Sequence, residues 1–183
     1  MPAQTGDIVF FPGKAGHIGM FYDRDRIIHA TNSENFHLVD NLVTDGGKMG
    51  YRTNKAFRPP WSKLAAGQEE IRKAELRRIA DKMKDISTYG LYRAFRLFAG
   101  NSTFGPEAEK RLNKYRARLD GTATDADRKF ITHITCSEAV MLTYQLAFPN
   151  REAPFFILLD AAHTMPSTLV NWLQKNGWEA VSV

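Results

Sequence analysis

Three side chains in this sequence have the types and spacing for nucleophilic catalysis: Cys136, His17 and His29. Cys136 is the only cysteine of the 183 residues. It stands where the β-prone run Phe130-Ile131-Thr132 gives way to a helical pattern. Ala139, Val140, Thr143, Tyr144 and Ala147 follow it at the rhythm of one inward helix face. A sulfur in a first helical turn meets unpaired N–H groups and the positive end of the dipole, both of which favour a thiolate. A lone cysteine is more often a small buried hydrophobe, so the case for chemistry depends on the histidines. His17 and His29 lie twelve residues apart on two short apolar runs joined by Asp23-Arg24-Asp25. A hairpin brings such positions side by side. Histidine titrates near neutrality and suits the base. A second imidazole can hold the tautomer of the first. Together they supply a nucleophile, a base and a group that orients the base.

Gly6 to Phe11, His17 to Tyr22 and Arg26 to Ala30 are three strands of an antiparallel meander, the first closed by Pro12-Gly13. Asn35 to Val39 is a further strand. Residues 43–50 form a loop, and Tyr51 to Phe57 returns as a strand before Pro59-Pro60. From Gln68 the pattern is helical, with Leu76, Ile79, Met83 and Ile86 on one face. Tyr89 to Phe98 and Pro106 to Leu119 continue it, and Thr122 to Asp127 is a polar connector. The cysteine helix runs to about Phe148. Pro166 opens a last helix through Lys175, and Trp178 to Val183 is a terminal strand. The fold class is α+β, a single catalytic domain over 1–183 with a helical insertion at about 66–121.

Composition excludes several classes. Hydrophobic residues at 43% and charged residues at 25% are ordinary for a globular chain. No apolar run is long enough for a membrane span, and the N-terminus lacks a signal-peptide pattern. A net charge of +5 suits an anionic surface or polymer. No zinc-finger, RNP-type or phosphate-loop motif is present, so nucleic acid is not an expected partner. One cysteine makes no internal disulfide and no cysteine-rich zinc site.

Gly6-Asp7-Ile8-Val9-Phe10-Phe11, His17-Ile18-Gly19-Met20-Phe21 and Ile28-His29-Ala30 resemble the GD-hydrophobic, H-hydrophobic-G and hydrophobic-HA signatures of NlpC-like cell-wall peptidases. Cys136-Ser137-Glu138-Ala139-Val140 resembles the nucleophile helix start of that family. There the cysteine precedes both histidines. Here it follows them by more than a hundred residues, the order of the circularly permuted branch that includes the lecithin:retinol acyltransferase-like proteins. The resemblance covers roughly residues 5–31 and 130–148 and says little about the helical middle. It implies a papain-like fold, an antiparallel sheet packed on the cysteine helix, and a Cys136-His17-His29 triad. It also implies a thioester mechanism on amide bonds of peptidoglycan stem peptides, with no cofactor and no metal. A wall amidase without a signal peptide fits a phage lysis enzyme. It also fits a bacterial toxin made in the cytoplasm and exported by a type VI-like system, with a cognate immunity protein as partner.

Two other readings stay open: an acyltransferase or thioesterase on lipid or protein substrates, and a non-enzymatic binding module. The second predicts that Cys136 and His17 do not meet. The backbone N–H of Cys136 is the expected oxyanion donor. Ser137, Tyr22, Glu138 and Tyr115 are further oxyanion or substrate candidates, each also explicable structurally, Glu138 by the helix dipole. Asp7 caps or turns the first strand. His37, His133 and His163 fall at no metal-ligand spacing and receive no role. A zinc ion on Cys136, His17 and His29 is chemically allowed but not expected. Tyr89, Tyr92, Phe95 and Phe98 read as core or as a lid.

Overall fold

The structure is a computed structural model that describes residues 2–12, 16–31, 35–40, 55–90, 100–130 and 132–183. It is a mixed α+β chain built on a six-stranded antiparallel sheet, with five α-helices among the described residues. Strands β1 (Ile8–Phe11), β2 (His17–Phe21), β3 (Arg26–Thr31) and β4 (Asn35–Asp40) form the meander that the sequence indicates. Strand β5 (Lys55–Arg58) then pairs with β1 on its other side. Helix α1 (Gln68–Ile86) leads into β6 (Thr88–Tyr89). Next come α2 (Pro106–Leu119), α3 (Asp125–Phe130) and β7 (His133–Ile134). The chain closes with α4 (Cys136–Ala147), α5 (Pro166–Lys175) and β8 (Glu179–Ser182). The sheet order is β4-β3-β2-β1-β5-β8, so the terminal strand seals the edge at β5. The expected loop 43–50, the start of the return strand at 51–54 and the helical stretch 91–98 lie outside the described residues.

Three expectations change. Thr122 to Asp127 is not a plain connector. Thr124 caps α3 by accepting the N–H of Asp127, and the helix extends through Phe130, taking part of the run expected to be extended. Tyr89 belongs to a strand rather than a helix, paired in parallel with Ile134 of β7. And α4 is not amphipathic: all twelve of its residues are buried. It lies on β2 and β3, with α1, α2 and α5 also packed against it. A helix covered on every side must satisfy its polar side chains locally. Thr143 donates to the Ala139 carbonyl, and Gln145 to those of Ile157 and Leu159.

The Gly6-Asp7 pair anchors the start of the sheet. Gly6 has φ +91°, the left-handed region, and a Cβ there would stand 2.8 Å from Tyr144 Oη and 2.9 Å from Trp61. The Tyr144 hydroxyl donates to the Gly6 carbonyl, tying β1 to α4. Asp7 is wholly buried and accepts from Arg58 Nε at 3.0 Å and Nη2 at 2.6 Å, and from the Gln4 N–H at 3.1 Å. Burial nevertheless pushes the Asp7 carboxyl above its ordinary pKa, against the pull of Arg58. Removing one partner of a buried ion pair leaves the other charge uncompensated. Arg58→Met is therefore expected to cost about 3–5 kcal/mol, with Asp7→Asn/Arg58→Met recovering part of it. Urea unfolding of the three proteins checks this, and a loss below about 1 kcal/mol contradicts it.

Candidate active site

His17 and His29 meet, though not as direct cross-strand partners. The register pairs Gly19 with His29, and Phe11 with His17. His17 precedes Gly19 by two residues, so it lies diagonally from His29 on the same side of the sheet, within reach of long side chains. The contact is His17 Nε2 to His29 Nδ1 at 2.8 Å, with the rings edge to face. Glycine at position 19 is required by this approach. A Cβ there would fall 2.9 Å from Ile27 Cγ2, 3.1 Å from the Ile28 carbonyl oxygen and 3.2 Å from His29 Cβ.

The pair continues into a third imidazole. His29 and His37 are cross-strand partners in the β3–β4 register, and their Nε2 atoms stand 3.2 Å apart. His37 Nδ1 is 3.3 Å from the Asn35 carbonyl oxygen. Sequence spacing alone assigns His37 no role. The signal that could have found it is the logic that found His17 and His29, applied to the next antiparallel strand pair: His29 and His37 are eight residues apart in sequence on β3 and β4.

Cys136 occupies the first position of α4. Thr135 caps the helix in a capping box: its hydroxyl accepts the Glu138 N–H at 3.3 Å, and Glu138 Oε2 accepts the Thr135 N–H at 3.4 Å. The cap fixes where the helix starts and so where the sulfur sits. Burial pushes the Cys136 thiol above its ordinary pKa. It outweighs the backbone N–H groups of Ile18, Ser137 and Cys136 itself, which act on the sulfur and favour its thiolate. This differs from the thiolate expected of a helix start, because the site is buried, with Cys136 only 8% exposed.

Ile18 is the link between the two halves of the set. Its N–H acts on the sulfur, and it is one peptide from His17. The β2–β3 pairs run from Gly19 to Phe21, so Ile18 lies at the end of that pairing. By strand alternation His17 and His29 share a face with Val9, Phe11, Phe21 and Ile27, a separate small core. Cys136 belongs to the main core with Ile18, Met20, Ile28 and Ala30, the face that α4 covers. Cys136 and His17 thus flank the Ile18 peptide from opposite faces of the sheet.

Burial pushes His17 down to about 4 and His29 down to about 3, with repulsion from neighbouring imidazoles adding to it. Near neutral pH Cys136 is a protonated thiol with backbone N–H groups for partners, and His17 and His29 are neutral rings. Chemically, that is a nucleophile awaiting a base, without a preformed ion pair.

The other candidates are held in structural bonds. Ser137 is buried and donates to the Thr164 carbonyl at 2.6 Å. Glu138 completes the cap and accepts from Tyr115 at 3.5 Å. Tyr22 donates to Asp81 at 2.7 Å. It lies five residues from His17 along an extended strand, about 17 Å away. His133 pairs with Thr88 and His163 with Asp160. Among the described residues no three His, Cys, Asp or Glu side chains form a metal-binding group, and no helix is long and apolar enough to cross a membrane. The nitrogens of His17, His29 and His37 bond to one another in series rather than converging on a point.

Against known proteins the chain matches no family model, no curated protein and no solved structure.

Proposed function

We propose that the protein is a cysteine hydrolase of the permuted papain-like kind, cleaving amide bonds in peptidoglycan stem peptides. The observation that carries this is the histidine chain ending at His17, next to the peptide whose N–H acts on the Cys136 sulfur at a capped helix start. The order of sheet, helical middle and cysteine helix also suits a papain-like core with an insertion at about 66–121. The net positive charge suits an anionic wall polymer.

In this reading Cys136 gives its proton to His17 as the sulfur attacks the carbonyl carbon. The Cys136 N–H receives the developing oxyanion. The C–N bond breaks as His17 returns the proton to the leaving amine, leaving a thioester. Water then attacks the thioester while His17 takes its proton. The C–S bond breaks, and the thiol and a carboxylic acid are released. The same reading is compatible with a phage lysis enzyme or an exported antibacterial effector with an immunity partner.

Wild-type protein incubated with purified sacculi, defined muropeptides, phospholipids and an acylated protein, each read by mass spectrometry, tests the substrate class. Cleavage of a stem-peptide amide, with a peptidyl adduct trapped on Cys136, is the expected result. A fatty-acyl adduct would assign the site to acyl transfer instead, and binding of sacculi without any cleavage would overturn the hydrolase reading.

A further inference from the structure

We propose that His37 is a positioning residue which, through its bond to the Asn35 carbonyl, fixes the proton direction of the whole histidine chain, so that His17 presents an unprotonated Nδ1. A carbonyl oxygen can only accept, so the 3.3 Å contact requires the proton of neutral His37 to sit on Nδ1. Its Nε2 is then an acceptor. The neighbouring His29 Nε2, 3.2 Å away, must donate to it. That leaves His29 Nδ1 as the acceptor facing His17 Nε2 at 2.8 Å, so His17 carries its proton on Nε2. Each neutral imidazole has one donor and one acceptor nitrogen, and the carbonyl admits only one direction through the series. Burial keeps His17 and His29 neutral near pH 7, the state in which a single tautomer is defined.

The terminal acceptor is itself held. Asn35 has φ +60°, in the left-handed region, and its side-chain Oδ1 accepts the Tyr89 N–H at 2.9 Å. Strand β6 thus pins the residue whose carbonyl orders the chain. Asparagine is among the non-glycine residues that accept left-handed backbone most readily, so the conformation is accessible here and the bond from Tyr89 holds it.

The tautomer assignment stands independently of any activity, while its catalytic consequence rests on the hydrolase reading, in which His17 Nδ1 is the base. Two measurements keep them apart. The first is long-range ¹H–¹⁵N correlation on intact, histidine-labelled wild type at neutral pH. Nε2-protonated His17 and His29 with Nδ1-protonated His37 is expected; an Nδ1-protonated His17 overturns the proposal. The second compares His37→Leu, which removes the acceptor, with His37→Gln, whose carboxamide oxygen can replace it. His37→Leu is expected to mix the His17 and His29 tautomers and to slow carbamidomethylation of Cys136 by iodoacetamide at least about tenfold. His37→Gln is expected to restore both to within about threefold. Unchanged tautomers in a folded His37→Leu overturn the role of His37. Mixed tautomers with an unchanged alkylation rate support that role and overturn His17 as the base.

Discussion

Cys136→Ala is expected to lower kcat/KM on the cleaved amide by at least about 10³-fold while leaving the fold in place. The size of the effect follows from the proposed mechanism: without sulfur there is no thioester and no second step, and what remains is binding plus whatever the backbone N–H groups do for water. The stability cost should be small. The removed atom is one sulfur at the first position of α4, and the helix start is set by the Thr135–Glu138 cap rather than by the thiol. Truncating so small a buried group costs about 1 kcal/mol. Cys136→Ser should be nearly as inactive, because an alcohol in the same buried place is harder to ionise than the thiol, whose pKa burial already raises. Steady-state assays paired with thermal melts separate chemistry from folding. A folded Cys136→Ala variant retaining more than about a tenth of the wild-type rate removes the residue from the chemistry.

How much of this was legible in the sequence depends on whether one element or several decide a feature. The meander, the cysteine helix and the meeting of His17 with His29 follow from short-range signals: turn residues, alternation and one hairpin. His37 needed the β3–β4 register, which the sequence does not state. The same holds for α4. Its apolar positions read as a single face, but Ser137, Thr143 and Gln145 enter the core because carbonyls of Thr164, Ala139, Ile157 and Leu159 receive them. Those partners, Ala139 excepted, come from a distant segment. The thiol shows the same limit from the electrostatic side. A helix start is visible in Thr135-Cys136-Ser137-Glu138, and it predicts a low pKa; burial, which reverses the sign, is contributed by the whole fold.

Burying His17 and His29 as neutral rings should make the protein lose stability on acidification earlier than its carboxylates alone would cause. His17 falls from 6.5 to about 4 and His29 from 6.5 to about 3 on folding. Below pH 6.5 the unfolded chain takes up protons that the native rings refuse, so stability rises with pH across the window from about 3 to 6.5 and is fully present above it. A tenfold difference in proton affinity between the folded and unfolded chain is worth about 1.4 kcal/mol, so at pH 5 the loss is on the order of 2 kcal/mol per histidine relative to pH 7.5. Asp7 works in the other direction. Its raised carboxyl binds a proton more readily when folded, which adds stability as the pH falls. Carboxylates held below their ordinary range, such as Glu75 beside Arg78, titrate at lower pH and leave the interval from 6.5 to 5 to the histidines. Urea midpoints measured at half-unit steps between pH 5 and 7.5 are expected to fall steeply toward the acid end. His17→Gln/His29→Gln, which has nothing to protonate at these positions, should flatten that slope even if it is less stable throughout. A wild-type profile that is level from pH 7.5 to 5 would mean that the two rings are not buried as neutral groups, and the base assigned to Cys136 would have to be sought elsewhere.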